Sequence, residues 1–142
     1  MSYEEKSTWV MGALAVITLA VYTSVTLVQA TSVPLTQTPY VATMLWTIIG
    51  SIVVSIVIHI ALGMFTRGRK QDQRDREFHA FGGRVGNGFL VAGTLAGLIL
   101  AWLEVDWFWI ANALFLGFVL SAILESIAKI VAYRRGLAGA RW

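Results

Sequence analysis

Four long apolar stretches alternate with short polar ones along the 142-residue chain. After the polar leader MSYEEKS, Trp9 to Gln29 runs for 21 residues without a charge, which suits a hydrocarbon core of about 30 Å. A signal peptide is excluded by two features. The leader has two Glu against one Lys, and the apolar run exceeds a signal core of about 7–15 residues. The uncharged segment Thr31–Pro39 holds both prolines, Pro34 and Pro39, and reads as a turn, since proline ends one helix and is tolerated at the start of the next. Tyr40 to Thr66 is the second span, Val85 to Leu103 the third, with Phe78 to Arg84 its helical lead-in, and Trp107 to Tyr133 the fourth. Glu104-Val105-Asp106 is so short that spans three and four must be antiparallel neighbours. The expected fold is all-α: one membrane domain over residues 1–142, an antiparallel bundle of four transmembrane helices with both termini cytoplasmic.

Between spans two and three lies the one long polar run, Arg67 to Arg84, RGRKQDQRDREFHAFGGR, with six of the eleven Lys and Arg residues. It sets the orientation. The two turns on the opposite side contain no Lys or Arg, whereas the N-terminus, this loop and the tail hold every cation except Lys129, which is near enough to snorkel there. That side is therefore expected to be cytoplasmic, in the inner membrane. Tyr40, Trp102, Trp107 and Trp109 form the expected outer aromatic belt; Trp9, Phe78, Phe81 and Tyr133 form the inner one.

Composition agrees with this picture. The chain is 57% hydrophobic and 13% charged, roughly half the charged share of soluble domains. There are no cysteines, so disulfides, thiolate metal sites and cysteine nucleophiles are excluded.

Inside the spans the informative residues are small or polar. Thr47, Ser51, Ser55, His59 and Gly63 recur every four residues, as do Ala113, Gly117, Ser121, Glu125 and Lys129. Span one has Thr18, Tyr22 and Thr26; span three has Gly82, Gly86, Gly93, Gly97 and Ala101. Such spacing keeps side chains near one face, and small residues let helices approach closely, so Gly86, Gly93, Gly97 and Gly117 are the expected packing positions. His59 and Glu125 lie at similar depths, roughly 12–14 Å in from the cytoplasmic charges. The expectation is a buried polar layer of His59, Asn87, Glu125 and Lys129. It is either a satisfied structural set, with Glu125 and Lys129 paired at i,i+4, or a proton- or cation-responsive site. A metal site from His59, Glu125 and His79 is the weakest reading, because His79 belongs to the loop side, and no metal or other cofactor is expected. The depth mismatch also argues against a haem between the two histidines.

Arg67, Arg69, Lys70, Arg74, Arg76 and Arg84 form a basic surface suited to anionic headgroups or a cytoplasmic partner. Asp72, Asp75 and Glu77 interleave with them, and this argues against nucleic acid. No catalytic constellation is present: Gly82-Gly83-Arg84-Val85-Gly86 lacks the preceding strand that a dinucleotide loop needs.

Glu4-Glu5-Lys6 with Trp9, the loop Asp72-Gln73-Arg74-Asp75-Arg76-Glu77, the segment Phe108-Trp109-Ile110-Ala111-Asn112-Ala113-Leu114, and Lys129-Ile130-Val131-Ala132-Tyr133-Arg134-Arg135-Gly136 together resemble a widespread bacterial family of uncharacterised small four-span integral membrane proteins. The family loop usually reads Asp-Glu-Arg-Asp-Arg-Glu-Ile; here Gln73 and Phe78 depart from it. The resemblance implies four-span topology and carries no activity. Small multidrug transporters also have four spans, but their essential carboxylate lies in the first span, which here has none. The expected function is thus that of a non-enzymatic, self-associating accessory, sensory or scaffold component, as a homo-oligomer or a subunit of a larger membrane complex. The alternative is an oligomeric proton- or cation-coupled transporter or channel using Glu125 and His59, with a membrane-embedded enzyme third.

Overall fold

The computed structural model describes residues 3–65 and 72–136. Within them the chain forms four helices: α1 (Tyr3–Gln29), α2 (Tyr40–Phe65), α3 (Gln73–Trp102) and α4 (Trp107–Arg135). All four are long and apolar enough to cross a membrane.

Two helices start well before the apolar residues do. α1 opens on Glu4 and Glu5, whose charges suit the positive end of the helix dipole. α3 opens inside the polar run, where Asp72 and Asp75 build a capping box, each side chain meeting the other's backbone N–H. Phe78 and His79 therefore lie on a helix continuous with the third span. Between α1 and α2 the hydroxyls of Thr31 and Ser32 donate to the Val28 and Gln29 carbonyls, covering acceptors that α1 leaves open. A single 3-10 turn, Leu35–Gln37, follows Pro34.

α4 is the middle of the assembly. α3 packs along one side of it and α1 along another, while α2 packs mainly on α1. The α3–α4 seam is made by the two small-residue stripes facing each other. Contacts descend α3 as they ascend α4: Gly97 meets Leu114, Gly93 meets Gly117, Gly86 meets Ser121 and Glu125, and Gly82 meets Glu125 and Lys129. A β-carbon at Gly93 would sit 2.5 Å from the Gly117 Cα, so at this level backbone touches backbone. On the other side, Gly12 of α1 gives room to Ser126, whose Cβ would be 2.9 Å from a β-carbon there. The apolar core is Tyr22, Phe115 and Val119, with Leu19, Met44 and Ile123 against it; the Tyr22 and Phe115 rings are 4.6 Å apart.

α2 differs from the other three helices, for it buries no residue. Its four-residue stripe forms no close glycine seam: Gly63 has open space around it, as does Gly50 beside the stripe. Thr47 and Ser51 return their hydroxyls to carbonyls of α2 itself. Apolar grooves flank it on both sides. One, of about 650 Å³, opens between α1, α2 and α4; the other, of about 500 Å³, lies between α1 and α2.

The glycines should respond to substitution according to what faces them. Gly93→Ala should cost about 1–3 kcal/mol, the usual range for overpacking, because the Gly117 backbone cannot move aside locally. Gly88→Ala, on the same helix with open space around it, should be neutral or stabilising by up to about 1 kcal/mol. Thermal unfolding of the two variants in one detergent checks this; equal midpoints would show that the seam is looser than described.

A polar cluster at one end of the bundle

The ionisable side chains gather where the start of α1, the start of α3 and the end of α4 come together. Lys129 Nζ donates to Glu125 Oε1 at 2.6 Å, one helical turn apart. Two glycines of α3 make the slot for this pair. The Lys129 stem lies on Gly82, and Glu125 Cβ and Oε2 would be 3.0 and 3.1 Å from a β-carbon at Gly86. The lysine side chain is 12% exposed and the glutamate 35%, so the carboxylate is the wetter partner.

Across the seam, His79 Nε2 lies 2.7 Å from Glu4 Oε2 and ties α3 to α1. Next to it on α1, Ser7 Oγ is 2.7 Å from His59 Nε2, the main polar link to α2. His59 Nδ1 is 2.7 Å from the Ser55 carbonyl on its own helix. Thr8 donates to the Glu4 carbonyl and Ser126 to that of Ala122. Ser7, Thr8, His79, Glu125, Ser126 and Lys129, backed by Met11 and Ala122, enclose a cavity of about 130 Å³. At the rim Tyr133 donates to Asp75, the Arg134 guanidinium lies 5.6 Å from the Trp9 ring centre, and that of Arg74 lies 5.1 Å from Phe78.

A second polar group occupies the other half of the α1–α4 seam. Tyr22 donates to Asn112 Oδ1 at 2.6 Å, and Asn112 Nδ2 donates to the Phe108 carbonyl. Gln29 Oε1 is buried there without a hydrogen-bond partner among the described residues. Leu19, Phe115 and Val119 pack at the Tyr22 level, on the side towards the first cluster.

The expected four-residue layer is thus redistributed. Glu125 and Lys129 pair as the spacing implied. His59 points to α1, through Ser7, and is not bonded to the pair. Asn87 does not join them; it is exposed on α3, because the neighbouring Gly86 faces α4 and one residue turns a helix by about 100°. His79, assigned by sequence to the loop side and away from Glu125, borders the same cavity as Glu125 and Lys129, because α3 extends through it without a break. Among the described residues, no three His, Asp or Glu side chains converge to hold a metal ion. Gly86, Gly93, Gly97 and Gly117 all lie on the α3–α4 seam. Arg74, Arg76 and Arg84 are exposed along α3, whereas Arg67, Arg69 and Lys70 lie outside the described residues.

Sequence reasoning missed Glu4, Ser7, Thr8 and Ser126. Glu4 and Ser7 fall in the polar leader MSYEEKS, and Thr8 lies between that leader and the span. Continuing the stripe of Thr26 and Tyr22 back along α1 in steps of three and four reaches Gly12, Thr8 and Glu4, which is the signal that would have found them. Comparison with protein-family models, curated proteins and solved structures finds no match to this chain.

The pairing predicts unequal outcomes at one position. Glu125→Gln keeps an acceptor for Lys129 and should cost little. Glu125→Leu leaves the ammonium unpartnered beside Gly82 and should destabilise the fold by about 1–3 kcal/mol. Unfolding midpoints that fall equally in both variants would mean that the pair has no part in holding the seam.

Proposed function

We propose that the chain is a four-span membrane protein with antiparallel helices, both termini and the 66–72 connection in the cytoplasm, and that it works without catalysis as a self-associating accessory or scaffold component of the inner membrane. The observation that carries this reading is the inequality among the helices. α3, α4 and α1 interlock through glycines and buried polar bonds, whereas α2 buries nothing and has open grooves along both flanks. In lipid, helices associate through close packing and hydrogen bonds, because apolar surface alone gives no drive. A helix so loosely held within its own chain is the one most available to a second copy or to another subunit. The exposed arginines of α3 support attachment to anionic headgroups at about 1 kcal/mol each.

The alternative is a proton- or cation-coupled transporter using Glu125 and His59, and one observation favours it. Glu125 borders a small cavity, and His59 is one hydrogen bond from that cavity through Ser7. On this reading Glu125→Gln folds normally and loses a flux that the parent shows in liposomes.

The absence of cysteine makes both topology and association directly testable. Cysteines at Thr36 and Val105 should react with an impermeant reagent outside intact cells, and one at Gln71 only after the membrane is opened. Reversed labelling would overturn the orientation. Single cysteines along α2, such as Val53→Cys, Val57→Cys and Met64→Cys, should form crosslinked dimers in membranes with helical periodicity. Leu95→Cys and Leu98→Cys on α3 should not. Crosslinking equal on both helices, or absent from α2, would remove α2 as the association surface.

A further inference from the structure

Ser7 belongs to two sites at once: its hydroxyl bonds His59, and the residue borders the polar cavity. The direction of the bond follows from chemistry. The Ser55 carbonyl can only accept, so His59 Nδ1 carries the hydrogen. In the neutral ring Nε2 is then a bare acceptor, and the Ser7 hydroxyl must donate to it. Thr8 and Ser126 have likewise committed their hydrogens, to the Glu4 and Ala122 carbonyls. All three hydroxyls have only lone pairs left to offer. Facing the same space, the Lys129 ammonium has three N–H groups and uses one on Glu125. A small space between acceptor oxygens and an ammonium suits a molecule that both donates and accepts. At about 130 Å³ it has room for several waters.

We propose that this cavity is a water site and that Ser7 relays protons from it to His59, making His59 a proton acceptor within the second span. The relay step balances. A hydronium ion in the cavity gives a proton to a lone pair of Ser7 Oγ, while the hydroxyl hydrogen moves to His59 Nε2. Water is left in the cavity, the serine is neutral again, and the imidazolium donates Nε2–H back to Ser7 Oγ. The Nδ1–H bond to Ser55 persists throughout. The charged groups around the relay are Glu4 on α1, His79 on α3, and Glu125 and Lys129 on α4; α2 itself contributes the Ser55 carbonyl. Protonation thus places a charge on the helix that buries nothing, at its main polar link to α1. The inference stands whether or not α2 is the association surface.

The chain has two histidines, so imidazole ¹⁵N NMR of the full-length protein in phosphatidylcholine nanodiscs resolves the question, with His59→Gln assigning the signal. In the parent, the His59 ring should exchange protons with water through Ser7, read as broadening of its ¹⁵N signals that grows as the pH is lowered. Ser7→Thr retains the hydroxyl and should preserve this. Ser7→Val has the shape of the threonine without the hydroxyl and should slow this exchange tenfold or more. A parent His59 that does not exchange protons with water would overturn the proposal, and so would equal exchange rates in the threonine and valine variants.

Discussion

The fold depends on the backbone contact between α3 and α4 at Gly93 and Gly117. In a bilayer the lipid tails are as apolar as leucine, so burying apolar side chains between helices gains little, and association must come from dispersion contacts and polar bonds. Dispersion falls off steeply with separation, so the closest approach of two helices contributes most. Two glycines facing each other bring the axes to that limit, and the rest of the seam follows from it. With the helices this close, Gly82 and Gly86 are the residues that leave room for the Lys129 stem and the Glu125 side chain. An alanine at either position would compete with the ion pair for the same space.

The buried charges then fix the register. Sliding α4 past α3 by one turn would leave one member of the Glu125–Lys129 pair on a glycine and drive the other off the slot against side chains. An ion pair away from water is a weak source of stability, since desolvation offsets most of the attraction. Its consequence here is selective: one alignment of the two helices has room for the pair and its neighbours do not. The same logic applies to α1, where Gly12 accommodates Ser126 and Glu4 reaches His79.

How much of this was legible in the sequence depended on the kind of information required. Four helices, and the small-residue faces of α3 and α4, were legible because spacing within one helix fixes which residues share a face. The pairing of Glu125 with Lys129 was legible for the same reason. Which helix each face meets is a tertiary property, and there depth alone misled. His59 and Glu125 have similar depths, yet α2 packs on α1, so His59 finds Ser7. Asn87 was placed by depth as well, and its rotation from Gly86 turns it outward. The central run does carry a helix, but how far it continues the span was not legible: α3 starts at the Asp72–Asp75 capping box and runs without a break, carrying His79 to the cavity.

The same distinction separates α2 from the other helices. Its residues show the same four-residue recurrence of small and hydroxyl side chains as α4, so the two stripes look equivalent in one dimension. They differ in what they leave over. On α4 the stripe is met by glycines of α3, while on α2 the Thr47 and Ser51 hydroxyls return to their own backbone, Ser55 donates to Met11 Sδ, and Gly63 faces open space. A hydroxyl bonded within its own turn is satisfied in lipid and needs no partner, so α2 is stable in the membrane as it stands. The Ser55 hydroxyl on Met11 Sδ and the Tyr40 ring on Phe108 help to hold it, as do Met44 at the core and the Ser7–His59 bond. Met44 and His59 sit near opposite ends of the helix, about 15 residues and ~22 Å apart. A change at His59 therefore acts at the end of a lever whose other end rests in the core.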